Sequence, residues 1–371
     1  MTFVGLAVLA LGNGGLWPCT STFGGDQYTL PQQKEELQTF FTAFYFVLNA
    51  AALLSYAIAP TLREVECLGE TSCYPLAFGV SAALSFLSLL SFGLGQPRYK
   101  IQPPQGNILM RVVGSIGTAV TRNIAGHRAD SHWMDLSKEK YGEDLVEDVK
   151  SLLRVLSLFL PFPVVFALFS QMGSRWTFQA ARMDGTIGAV TIKPEQMGIF
   201  QMILTLLMLP MFNKIIYPLC AKCNILKKPL QKISVGAIIC GVAFLVSGLL
   251  ELQLQKTLPM TAGEANITRS VLQTPTTLAS IHIFWQLPQH FLMAVSGILF
   301  MTNSMEFTYS EAPTSMKSMV QAAFLLTRAA GNLLVILVAE LKLVSDQASE
   351  FFLFSGLMST CSLVFIFLAW R

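Results

Sequence analysis

Neutral, apolar runs of membrane length recur along this chain, separated by short charged tracts. Met1–Gly25 carries no charged side chain, and similar runs follow at Leu37–Leu62, Thr71–Pro97, Val155–Ser174, Gln196–Asn213, Ile233–Leu250 and Phe351–Trp370. Runs near His282–Thr302 and Ser318–Ala339 complete a set of about nine. At about 1.5 Å per residue, about 20 apolar residues cross a hydrocarbon core of about 30 Å. Backbone in lipid must satisfy its own hydrogen bonds, so the pattern predicts an all-α membrane protein, a helical bundle. No positively charged segment precedes the first run, which therefore reads as a span and not as a cleaved leader. A span with nothing polar before it reads as the continuation of something longer.

Composition sharpens this picture. Hydrophobic residues make up 53% and charged residues 13%, against about 25% charged in soluble domains; mean hydropathy is +0.55. A net charge of +3 is too small to argue for a nucleic-acid partner; the lipid bilayer is the expected surrounding. Lys222, Lys227, Lys228 and Lys232 share one connection without an acid, which marks it as cytoplasmic. One span later Asn266-Ile267-Thr268 is a glycosylation pattern and belongs outside. Parity also places Cys67 and Cys73 outside, where they are a candidate disulfide. The polar block 96–150, with Arg98, Lys100, Arg111, Arg122, Lys138 and Lys150 set against Asp135, Glu139, Glu143, Asp144, Glu147 and Asp148, then lies inside. It divides residues 1–95, with three helices, from residues 151–371, with six and a short extracellular loop at about 253–281.

Local motifs narrow the family. Phe23-Gly24-Gly25-Asp26-Gln27-Tyr28, Phe41-Thr42-Ala43-Phe44-Tyr45-Phe46-Val47-Leu48-Asn49 and Cys73-Tyr74-Pro75-Leu76-Ala77-Phe78-Gly79-Val80 resemble the proton-coupled oligopeptide transporters of the major facilitator superfamily. Pro104-Gln105-Gly106-Asn107-Ile108, Gly173-Ser174-Arg175-Trp176, Glu306-Phe307-Thr308-Tyr309-Ser310-Glu311-Ala312-Pro313 and Met316-Lys317-Ser318 extend the likeness in collinear order. It is nearest to the animal di- and tripeptide transporters. On this alignment the spans correspond to helices 4 to 12 of a twelve-helix fold, with helices 1 to 3 absent. Leu48 and Ala51 depart mildly from the second motif.

The resemblance implies site residues. Tyr45 and Asn49, one turn apart, line the peptide cavity of such transporters; an interhelical polar contact is the alternative. Glu306 stands where the family has a glutamate tied to the peptide's ammonium group and to proton coupling. Arg154 opens the first span of the second half, and its usual acidic partner is Asn213 here, so Arg154 is expected to pair with Glu306 or to snorkel to the surface. Trp17 replaces the family's lysine, a lost cation site. Phe166 and Phe324 take the place of cavity-wall tryptophans, and Ser170 that of an aspartate. Arg328 lies mid-span, where facing lipid costs about 2.5–3.5 kcal/mol or more. It is expected to face the interior, either holding the peptide carboxylate or pairing with a buried acid.

Nothing supports an enzyme or a metal site: Cys220 and Cys223 lack a second pair, and no nucleotide or nucleophile motif is present. No cofactor is expected beyond protons as the coupling ion. The implied function is proton-coupled symport of small peptides, in the plasma membrane or an endosomal or lysosomal one. The alternative is a transport-inactive relative that senses peptides or regulates a partner, favoured by Trp17, Asn213 and Ser170. A carrier of other small zwitterions is a narrower option.

Overall fold

A computed structural model describes residues 2–29, 31–63, 65, 67, 73–101, 107–127, 131–188, 190–257, 281–313, 315–340 and 346–370. Among the described residues eight helices are long and apolar enough to cross a membrane, or up to nine with one bent pair counted as a span. The first half holds α1 (Thr2–Gly25), α2 (Lys34–Arg63) and α3 (Tyr74–Leu94). The linker holds α4 (Ile108–Ile124) and α5 (Lys138–Tyr141). The second half runs through α6 (Glu143–Leu158), α7 (Phe162–Gln171), α8 (Arg175–Ala180), α9 (Met197–Met211), α10 (Tyr217–Lys222), α11 (Pro229–Thr257), α12 (Leu287–Gly297), α13 (Asn303–Ser310), α14 (Lys317–Glu340) and α15 (Gln347–Trp370).

The run expected as one span at Val155–Ser174 is broken. Glu143–Leu158 and Phe162–Ala180 meet at 44° because Pro161 and Pro163 remove backbone donors and crowd the preceding turn. The helix also starts earlier than the run, at Glu143, where Glu143 and Asp144 suit its positive end. Two other spans carry π turns. Phe212–Ile216 joins α9 to α10, just after Pro210, and Ile298–Thr302 joins α12 to α13. The second of these prolongs its span to Ile283–Ser310, past the expected limit at Thr302, so Glu306 lies within it. A two-strand antiparallel hairpin, Thr186–Ile187 with Val190–Thr191, was not legible in the hydropathy; Gly188 turns it at φ +59°.

Small residues set the packing of the second half. Along α11, Gly236, Ala237, Cys240, Gly241, Ala243, Ser247 and Gly248 are buried, letting neighbouring backbones approach closely. Ser296 Oγ donates to the Gly236 carbonyl and Ser355 Oγ to that of Gly241, each at 2.8 Å. On α14, a Cβ at Gly331 would stand 2.5 Å from the Pro163 carbonyl and 2.8 Å from the Ala167 nitrogen. By contrast α3 has no buried residue.

In the linker, Val112, Ser115 and Ala119 of α4 are buried beside the turn Trp133–Ser137, and the hydroxyls of Ser115 and Ser137 lie 2.9 Å apart. Asp135 is the hub. It accepts from Lys150 Nζ at 2.7 Å, Ser131 Oγ at 2.7 Å and the His132 amide at 3.0 Å, with Lys138 Nζ at 3.2 Å. The Lys150 ammonium, then the Ser131 hydroxyl, hold the Asp135 carboxyl well below the usual carboxylate range. Glu143, then Asp135, push Lys138 above the ordinary lysine range. Between α2 and α3, Cys67 and Cys73 are disulfide-bonded, with Cα atoms 5.3 Å apart. The Asn266 sequon lies outside the described residues.

Replacing Gly331 with Val should destabilise the α14–α7 contact by about 1–3 kcal/mol, read as a lower melting temperature in detergent. Asp135→Asn tests the linker hub. A depressed carboxyl stabilises the fold above its unfolded pKa, so the melting deficit of the variant should be full at pH 7 and shrink below about pH 4.

Candidate functional site

The first three helices meet the rest of the bundle around the end of α1 and the start of α2. Leu37 and Phe41, near the start of α2, are buried, and the Phe41 ring lies 5.7 Å from that of Tyr309 on α13. Tyr309 Oη donates to Asp26 Oδ1 at 2.7 Å. Lys317 Nζ donates to the same oxygen at 2.9 Å and to Tyr309 Oη at 2.7 Å, with its ammonium 4.0 Å from the ring centroid. Gly25 is required here, since a Cβ would fall 2.5 Å from the Tyr309 ring. The motif around Asp26 and the motifs holding Tyr309 and Lys317, far apart in sequence, thus form one latch between the halves. Sequence reasoning quoted these residues but gave them no role; unpaired motif charges of opposite sign were the available signal.

One helical turn from Tyr309, Glu306 is 4% exposed and its Oε2 has no hydrogen-bond partner among the described residues. The cations whose field reaches it are Lys232 on α11 and Lys34 on α2. Lys232 was read as a loop charge, yet it is buried, with its ammonium 4.2 Å from the Tyr217 ring centroid. Asn303, on the same helix as Glu306, donates to Tyr217 Oη at 3.4 Å. Both π turns border this region, and π turns frequently mark functional sites.

The other expected residues are dispersed. Tyr45 is half-buried beside the second π turn, its hydroxyl 2.9 Å from where a Cβ on Gly297 would sit. Asn49 turns its amide back to the Tyr45 carbonyl at 2.8 Å. Phe166 and Phe324 are core residues and not an open wall, packed edge to face at 5.6 Å and joined by Phe162 and Phe300. The gap beside Phe162 and Phe300 measures about 10 Å³, far too small for a peptide. Ser170 bonds Asn332 of α14, a neutral link across helices.

The pairing of Arg154 with Glu306 is not formed. Arg154 is exposed, because α6 buries Leu152 and Val155 on its opposite side, and no acid lies within ion-pair distance of it among the described residues. Arg328 is exposed too and likewise lacks an acidic partner among them. Gly331, not the Arg328 side of α14, carries the packing onto α7. Trp17 is exposed on α1. No cluster of His, Cys, Asp and Glu among the described residues could hold a metal.

Comparison with known proteins gives a consistent result. The family model described as PTR2, POT family, matches residues 1–352. The human solute carrier family 15 member 1 is 44% identical over 267 residues, covering 70% of this chain and 37% of the relative. The Drosophila melanogaster peptide transporter family 1 is 30% identical over 552 residues, covering 100% of this chain and 74% of the relative. The match to the human protein thus spans little more than a third of that protein's length. The crystal structure of the POT family transporter PepTSo superposes with a TM-score of 0.72 at 23% identity, covering 99% of this chain and 78% of that one, which shows the shared fold.

Lys317→Gln should loosen the latch. A cysteine at Leu37 is then expected to react several-fold faster with an impermeant maleimide applied from the cytoplasmic side, and the swap Asp26→Lys with Lys317→Asp should restore slow labelling. Equal rates in all backgrounds would count against the latch.

Proposed function

The chain belongs to the POT family, and from that membership we propose that it carries di- and tripeptides across a membrane by alternating access, driven by protons. One half rocks against the other around a site between them. The observation that carries this reading is Glu306: a buried carboxylate with an unmatched oxygen, on the helix that meets the first half. Such a group is costly to keep in a low-dielectric interior, and it is suited to exchange a proton for a substrate cation. The peptide's ammonium is assigned to Glu306 and its backbone to the neighbourhood of Tyr45. Arg328, a cation without an acidic partner among the described residues, is assigned to the peptide carboxylate. At 1.5 Å per residue it lies roughly 10 Å deeper than Glu306, about the reach of an extended tripeptide. The site of action on this reading is the plasma membrane, with an endosomal or lysosomal membrane as the other setting.

Trp17 favours a second reading, a transport-inactive peptide binder, because the family's cation is missing there. Uptake of a labelled dipeptide into vesicles separates the two. Transport predicts uptake that rises with an inward proton gradient and falls about tenfold or more in Glu306→Gln; binding without uptake selects the inactive reading. Arg328→Ala should weaken dipeptide binding, while a dipeptide amide, lacking the carboxylate, should be unaffected.

A further inference from the structure

We propose that Lys232 is a tethered cation parked in the field of Glu306, which the ammonium group of an incoming peptide must displace. The proposal rests on the reading that Glu306 takes that ammonium. Lys232 is 7% exposed and has no acid within ion-pair distance among the described residues. A buried ammonium needs compensation, and here it comes from the Tyr217 ring face at 4.2 Å together with the field of Glu306. The ring is held from its other end by Asn303 at 3.4 Å, one turn before Glu306. Glu306 in turn keeps Oε2 without a hydrogen-bond partner. Tyr217 and Asn303 thus bring Lys232 and Glu306 into one buried region with no ion pair between them, which leaves the carboxylate open to a competing cation.

Two cations cannot share one buried carboxylate cheaply, so Lys232 has to yield. Its backbone is fixed. One turn on, a Cβ at Gly236 would stand 2.9 Å from the Phe300 nitrogen, and Ser296 Oγ bonds the Gly236 carbonyl. Its side chain is not so constrained. Lys232 lies in the first turn of α11, adjoining the exposed cytoplasmic Lys227 and Lys228, and a four-carbon stem spans that distance to water. Lys34, the other cation acting on Glu306, is already exposed. Lys232 is thus a positioning residue that sets how strongly Glu306 attracts an amine.

Binding of labelled Ala-Ala and of N-acetyl-Ala-Ala to the purified full chain tests this. Lys232→Gln, and Lys232→Met as a second variant, should bind Ala-Ala about tenfold more tightly and the acetylated peptide unchanged. Lys232→Arg should behave as the parent, and in a Glu306→Gln background the Lys232 substitutions should have no effect. Unchanged or weaker Ala-Ala binding in Lys232→Gln and Lys232→Met overturns the proposal. If no variant binds either peptide, the peptide reading fails. A melting cycle on Lys232→Gln and Glu306→Gln then decides the pair alone, non-additive shifts supporting it and additive shifts overturning it.

Discussion

A charge taken out of water inside this bundle must meet its opposite, and where it does so determines which helices hold together. Glu251 is fully buried and answered by Arg182 at 2.6 Å and Gln179 at 3.0 Å. Arg182 also reaches Gln347 at 2.8 Å, and Arg175 pairs with Glu350 at 2.9 Å. These contacts knit α11 and α15 to α8 and the turn after it, at one end of the second half. Removing a single partner from such a set leaves a buried charge uncompensated and costs more than the pair contributes. The contact of Asp26, Tyr309 and Lys317 obeys the same rule, but it joins different halves and is only part-buried. The two clusters therefore differ in kind: one ties helices of the same half, the other spans the first and second. Glu306 and Lys232 are the exception, charges inside the fold that do not touch.

Packing agrees with this division. The stripe of small residues on α11 and the cluster of Phe162, Phe166, Phe300 and Phe324 pack closely, leaving only about 10 Å³ beside Phe162 and Phe300. Interiors of that density transmit displacement as a unit. Between the halves, contact includes the end of α1 and runs along α2 as far as Tyr45, which packs with Met208, Leu209 and Ala294 of α9 and α12.

The spans were legible because a hydrocarbon core demands long neutral runs, which need no knowledge of neighbours. The break at Pro161 and Pro163 was legible in principle, since proline has a fixed backbone meaning. The π turns were not, because Phe212–Ile216 and Ile298–Thr302 look like ordinary helix in composition. Side-chain direction was read least well. Phe324 and Arg328 are one turn apart, yet one is core and the other exposed, since Gly331 fixes how α14 leans on α7. Lys232 was hidden for the opposite reason: a lysine beside a loop reads as solvated until the fold folds its stem inward. The Asp26 latch depended on tertiary contact across 291 residues, which no local pattern encodes.

The turn that leads into Lys317 has one more attachment. Ser315 Oγ donates to Asp148 Oδ2 at 2.8 Å, and Asp148 belongs to the helix whose Lys150 completes the linker's charged hub. Opening the latch by swinging α14 away from α1 therefore also pulls on the linker, through a hydroxyl two residues from the latch. The polar connection is thus bonded to the turn before Lys317 as well as to its own charged hub.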